Sequence, residues 1–199
     1  MVIDLRKCFG CGTCAVVCGQ QNDTPEKFWR KVEELGLSDP RQRFFLPISC
    51  MHCEHPSCEA VCPTGATHRR DDGIVEIDAD RCIGCGYCIL ACPFRVRTIF
   101  YEHLMFEIKE SRDERDRKGT CTKCNFCKDK IDSGLAEGLQ PGVDGTATPA
   151  CVVNCSAEAL FFGDLNDPDS NVSRMIRENR TMRVNQECGT EPCIYYIIP

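Results

Sequence analysis

Residues 82 to 93 read CIGCGYCILACP, four cysteines within eleven positions followed at once by a proline. Nineteen cysteines in 199 residues reach the density at which a short secreted chain is read as a disulfide framework, but the spacing argues against one. Cysteines three apart in a tight loop project toward a common point, whereas a bridging framework joins thiols from distant segments. Zinc accepts thiolates too, yet its sites usually take two close pairs separated by a longer loop. The run C-x2-C-x2-C-x3-C-P is instead the pattern that ligates [4Fe-4S] clusters. Cys82, Cys85 and Cys88 wrap one cubane, with Gly84 and Gly86 letting the backbone approach the sulfurs. Cys92 falls on the same face of the helix that begins at Cys88, points away from the loop and serves a second cluster. Pro93 ends that helix.

One such run predicts others, and three follow. Residues 8 to 18 read CFGCGTCAVVC, with Cys8, Cys11, Cys14 and Cys18 at the same spacing and Gly19 in place of proline. Residues 50 to 63 read CMHCEHPSCEAVCP, with Cys50, Cys53, Cys58 and Cys62 and two extra residues before the third. The fourth group is spread out, Cys124 and Cys127 in KCNFC and Cys151 and Cys155 in PACVVNC. Four groups of four predict four [4Fe-4S] clusters and leave Cys121, Cys188 and Cys193 over.

Composition agrees. Aromatic residues are only 8% of the chain, so cluster ligation must replace much of the usual apolar burial, and the metal-free chain is expected to be largely unfolded. The formal charge is −6 with cysteines neutral; thiolate-bound clusters add roughly −8 more, which makes so acidic a chain a poor nucleic-acid binder. No segment approaches the roughly 18 apolar residues of a membrane span, and no signal peptide precedes Cys8. No nucleophile with its base, phosphate-cradling loop or dinucleotide fingerprint stands anywhere, so the chain has no substrate site of its own. Cubanes with every position filled by cysteine pass single electrons.

The elements that position these groups read as an α+β chain of tandem ferredoxin-like modules, small antiparallel hairpins and short helices around clusters, with insertions and a C-terminal extension. MVIDLRKC begins with a short apolar strand and CAVVCGQQN is a short helix. Thr24, Pro25 and Glu26 supply cap, first-turn proline and early acid for a second helix reaching about Gly36 and carrying Trp29. RFFLPISC returns as a strand; Asp72 and Gly73 turn the chain into the strand IVEID. Residues 101–120 are a charged surface insertion. KDKIDSGLAEGLQPGVDGTATPA lengthens the fourth group's loop with Gly and Pro, GDLNDPDSNVSRMIRENR contains a capped helix, and CIYYII is an apolar strand.

The stretches MVIDLRKCFGCGTC, CMHCEHPSCEAVCPTGA, DGIVEIDADRCIGCGYCILACPF, KCNFC, PACVVNC and FGDLNDPDSNVSRMI together resemble the four-cluster electron-transfer subunits of the dimethyl sulfoxide reductase family of molybdopterin oxidoreductases, those of polysulfide, thiosulfate and arsenate reductases being nearest in length. The resemblance implies crossed ligation: Cys50, Cys53 and Cys58 with Cys92; Cys82, Cys85 and Cys88 with Cys62; Cys8, Cys11 and Cys14 with Cys155; Cys124, Cys127 and Cys151 with Cys18. Residues 1–49 and 121–163 then form an outer cluster pair and 50–100 a central one, and the helix and tail over 164–199 form a docking segment. It also implies a large catalytic partner carrying molybdenum or tungsten on a bis-pyranopterin, and a membrane quinone subunit or soluble acceptor at the other end. That catalytic partner reduces polysulfide, thiosulfate or arsenate, or oxidises or hydroxylates aromatic compounds in anaerobic metabolism. The alternative is a free polyferredoxin carrier. Two compartments stay open, the cytoplasm, or the periplasm by co-export with a catalytic partner that carries a twin-arginine signal.

Gly19 and Ser156 depart from the proline that often follows the fourth cysteine. Cys121 creates CTKCNFC, a second register for group four, although Lys123 sits in the family's K-C-x-x-C frame. Cys188 and Cys193 are a disulfide, a partner site or two small hydrophobes. His52 and His55 are expected to hydrogen-bond cluster sulfur or solvent rather than ligate. Trp29, Phe94, Phe100, Tyr101 and Phe106 are read as packing.

Overall fold

The structure, a computed structural model, describes residues 1–24, 29–36, 43–99 and 119–199. Strand β1 (Val2–Asp4) is buried along its whole length because it lies inside a sheet whose other strands come from the far end of the chain. It pairs antiparallel with β8 (Leu160–Phe161) and parallel with β10 (Tyr195–Ile197), which in turn pairs with β9 (Thr181–Met182). Val2 stands opposite Tyr195 and Ile3 opposite Tyr196. The tail expected as a docking segment is therefore partly interior: Ile194, Tyr196 and Ile197 are fully buried, and the Tyr196 hydroxyl donates to the Pro47 carbonyl at 2.9 Å.

Helix α1 (Thr13–Asn22) follows the first cysteine loop as expected. The helix from Thr24 to Gly36 is corrected: Lys31–Gly36 is strand β2, paired over six residues with β3 (Arg43–Ile48), while Pro25 and Glu26 lie outside the described residues. Arg43 holds Glu34 bidentately across this hairpin at 2.6 and 2.7 Å.

The central segment is compact in sequence. Helix α2 (Ser57–Ala60), hairpin β4 (Thr67–Arg69) with β5 (Val75–Ile77), and helix α3 (Tyr87–Ala91) lie within 35 residues. Gly73 makes the hairpin turn at φ +84° and Asp72 caps it through the Ile74 amide. Strands β6 (Thr98–Ile99) and β7 (Cys121–Thr122) pair antiparallel at the base of the insertion, whose own residues 100–118, with Phe100, Tyr101 and Phe106, lie outside the described residues.

The long loop read into group four contains helix α4 (Lys128–Ala136), then α5 (Ala150–Val153). Gly134 does not break α4; it lets Ala147 approach so closely that an added Cβ would stand 2.3 Å from the alanine methyl. Helix α6 (Asn171–Glu178) begins at Ser170, whose hydroxyl accepts from the Ser173 amide, a side-chain N-cap. No helix among the described residues is long and apolar enough to cross a membrane. The main core is built from aliphatic residues and thiols together, Ile3, Leu5, Leu46, Ile48 and Met51 packing with Cys14, Cys18, Cys50, Cys92, Cys124 and Cys151.

Candidate metal centres

Each cysteine loop needs one residue in the left-handed region just before its second cysteine. Gly10 and Gly84 take it at φ +78° and +67°, and His52 and Phe126 take it at +45° and +58°. For the last two the conformation is costly, and the two rings stack on each other with centroids 3.7 Å apart. His52 is fully buried, accepts the Val75 amide at Nδ1, and among the described residues leaves Nε2 without a partner; burial, and then the Lys123 charge, hold it neutral. His55 is exposed.

Four neighbourhoods of sulfur result. In the first, Cys8 has Cys155 and Cys11 within electrostatic reach, and Cys14 has Cys151, Cys8 and Cys155. Burial pushes the Cys14 thiol up to about 11, whereas the Ser156 hydroxyl, 3.4 Å from Cys11 Sγ, lowers that thiol. The Ala159 amide donates to Cys155 Sγ at 3.3 Å.

In the second, Cys18 faces Cys124, Cys151 and Cys127. The Asn22 amide spans Cys18 and Cys127, 3.7 Å from each sulfur. Burial pushes Cys124 up to about 12 and raises Cys18 and Cys151.

The third neighbourhood is a cavity lined by Cys50, Cys53, Cys58 and Cys92 together with Met51, Phe94 and Arg97. Burial pushes Cys53 up to about 12, with the other three thiols as its charged neighbours. Cys124 has Cys50 within reach, so the second and third neighbourhoods adjoin.

Of the fourth expected set, Cys82 and Cys88 pack together with Cys58 and Cys121. The Thr67 amide donates to Cys62 Sγ at 3.4 Å, and the Cys121 amide to Cys82 Sγ at 3.3 Å. Cys88 Sγ lies 3.4 Å from Cys121 Sγ, a contact that lowers the Cys88 thiol. Cys121 thus packs with Cys58 and Cys88, while Cys124 packs in the main core with Cys18 and Cys151. Cys85, the middle cysteine of this loop, is exposed. Among the described residues no three His, Cys, Asp or Glu side chains stand close enough to share one metal ion.

The remaining residues of interest are structural in place. Lys123, 3% exposed, gives its ammonium to the carbonyl oxygens of Val75 and Cys124. Trp29 is buried and donates Nε1 to Thr122 Oγ1 at 2.8 Å, and Phe94 is buried in the main core. Cys188 is an exposed free thiol and Cys193 a half-buried one. Arg30 and Arg97, which sequence reasoning passes over, are both buried among the thiols; a charged residue in a polar stretch carries no signal of burial.

The donor set fits [4Fe-4S] groups. Thiols from distant segments come within reach of one another in the first three sets, amide N–H groups are aimed at sulfur, and among the described residues Arg30 Nε and Nη1, Arg97 Nη2 and His52 Nε2 are buried without partners. Comparison with known proteins points the same way. A 4Fe-4S dicluster domain family matches residues 41–165, and a second matches residues 7–66. A selenate reductase subunit of Mesobacillus selenatarsenatis is 41% identical over 99% of this chain and 70% of its own length. A tetrathionate reductase subunit of Salmonella typhimurium is 36% identical, covering 99% and 71%. A sulfite dehydrogenase subunit of Allochromatium vinosum is 35% identical, covering 99% and 81%.

Proposed function

The chain belongs to the 4Fe-4S dicluster family of iron–sulfur electron-transfer subunits of the dimethyl sulfoxide reductase type, and from that premise we propose that it is a linear wire with one end on a molybdenum or tungsten bis-pyranopterin catalytic subunit and the other on a membrane quinone subunit or soluble acceptor. Its clusters run in the order Cys8/Cys11/Cys14/Cys155, Cys18/Cys124/Cys127/Cys151, Cys50/Cys53/Cys58/Cys92 and Cys62/Cys82/Cys85/Cys88. Each bound cluster accepts and releases one electron; the protein holds the sulfurs, excludes water and sets the charge around them.

The observation that carries this reading is the gradient of burial along that order. Cys11 in the first set and Cys85 in the last are exposed, whereas seven of the eight thiols of the two inner sets are buried and Cys53 is half-buried. A wire needs its terminal centres at the surface and its inner ones shielded. Exposed apolar side chains stand near both ends in sequence: Phe9 is 59% exposed next to Cys8, and Ile83, Tyr87 and Leu90 are 67%, 58% and 86% exposed within five residues of Cys85. Such residues are suited to meeting a partner. Relatives named for reductases and for a dehydrogenase share this chain, so the partner sets the direction of flow.

The test is anaerobic purification of the complex from the native host with metal analysis. A large partner with about one Mo or W, and at least about sixteen Fe in the complex, is the expected result for four four-iron clusters. A lone chain with the same iron and no Mo or W makes it a free polyferredoxin.

A further inference from the structure

Two arginines are buried where, among the described residues, no carboxylate answers them. Arg30 is 1% exposed and Arg97 5%, and neither has an ion-pair partner among the described residues. Arg30 gives Nη2 to Ser49 Oγ at 3.0 Å and Met1 Sδ at 3.5 Å, while its Nε and Nη1 go unpaired. Arg97 gives Nη1 to Thr67 Oγ1 at 3.2 Å and Cys121 Sγ at 3.9 Å, while its Nη2 goes unpaired. An isolated buried charge is among the most costly things a fold can hold, so a countercharge has to be sought.

Sulfur surrounds both. Arg30 is within electrostatic reach of Cys14 from the first ligand set and of Cys18, Cys124 and Cys151 from the second. Arg97 is within reach of Cys50 and Cys58 from the third set and Cys88 from the fourth, besides Cys121. One guanidinium falls inside each pair of clusters. The third buried cation, Lys123, is different, since its ammonium is spent on two carbonyl oxygens.

We propose that Arg30 and Arg97 are the countercharges of the two cluster pairs, each raising the reduction potentials of both clusters it lies between. The proposal rests on the crossed ligand sets of the wire. A cubane bound by four thiolates passes from a charge of about −2 to about −3 on taking up one electron; no bond forms or breaks and no proton moves. In the poorly polarisable interior the guanidinium favours the more negative state. Because the same cation faces both members of a pair, it favours the reduction of each.

The test is a dithionite redox titration of the anaerobically purified complex, followed by EPR, for wild type, Arg97→Gln, Arg30→Gln and the two Lys variants. Arg97→Gln is expected to keep its iron and to move two of the chain's midpoints negative. At a fixed potential their reduced-to-oxidised ratio falls at least tenfold, about 59 mV for a one-electron couple. Arg30→Gln moves the other two, and Lys at either position recovers most of the shift. Full iron with unmoved potentials overturns the proposal. Where a Gln variant loses iron, the Lys variant decides: full loading at wild-type potentials upholds the countercharge, and loss of iron in both assigns the arginine to packing and overturns it. Shifts falling on two clusters that are not spin-coupled to each other leave the charge effect standing and overturn the ligand sets beneath it.

Discussion

Four residues with the same backbone task are filled by two chemistries. Glycine before the second cysteine of the first and third groups is legible, because a left-handed turn at close approach is what glycine is for. His52 and Phe126 at the equivalent positions are not legible, since neither is a turn residue, and only their ring stack explains how the fold tolerates them. Spacing alone leaves Cys121 between two registers, and its place against Cys88 separates it from Cys124. Its contribution to Cys82 comes from a backbone amide, which serine retains, and a serine hydroxyl can still donate toward Cys88. Cys121→Ser is therefore expected to keep about sixteen Fe per chain, while Cys88→Ser falls toward about twelve as one four-iron cluster is lost. Iron analysis of the two purified variants checks this; loss of a cluster in Cys121→Ser would place Cys121 among the ligands.

Elements are legible where local signals and tertiary pairing agree. The Ser170 cap, the Asp72–Gly73 turn and the apolar strand at 195–197 all lie where their residues point. Strand β2 is not legible because Lys31–Gly36 is made of residues acceptable to a helix, and its conformation is decided by a six-residue partner further along the chain; strand preference is largely a property of the neighbour. Helix α4 is hidden because Gly134 looks like a breaker until Ala147 is seen packed on it. Glycine also sets a sharp element-level constraint. A Cβ on Gly84, which has φ +67°, would stand 2.1 Å from the Gly119 carbonyl oxygen, at the approach to β7. Gly84→Ala has to push β7 and the Cys121 amide away from Cys82. Iron is expected to fall to about twelve per chain, the fourth cluster alone being lost; an unchanged content would mean that β7 is not needed to hold it.

For the whole molecule, metal and fold are one equilibrium. Many of the thiols are buried in the same core as the aliphatic residues, and burial holds Cys14, Cys18, Cys53 and Cys124 well above the usual thiol range. Ionising them inside the core requires iron to take the place of their protons. Removing iron with a chelator is expected to abolish most native circular dichroism; a native-like spectrum after complete removal would show a core that stands without metal.

The crossed ligand sets proposed above would also impose a calendar on biosynthesis. Cys50 to Cys92 and their hairpin lie within a short span of chain, so the central pair can be loaded while translation continues. The outer pair needs Cys8 to Cys18 to meet Cys124 to Cys155, and the sheet beside it closes only when Tyr195 reaches Val2. On that pairing two clusters would wait, their amino-terminal thiols reduced and unligated, until Cys155 and then Tyr195 have left the ribosome.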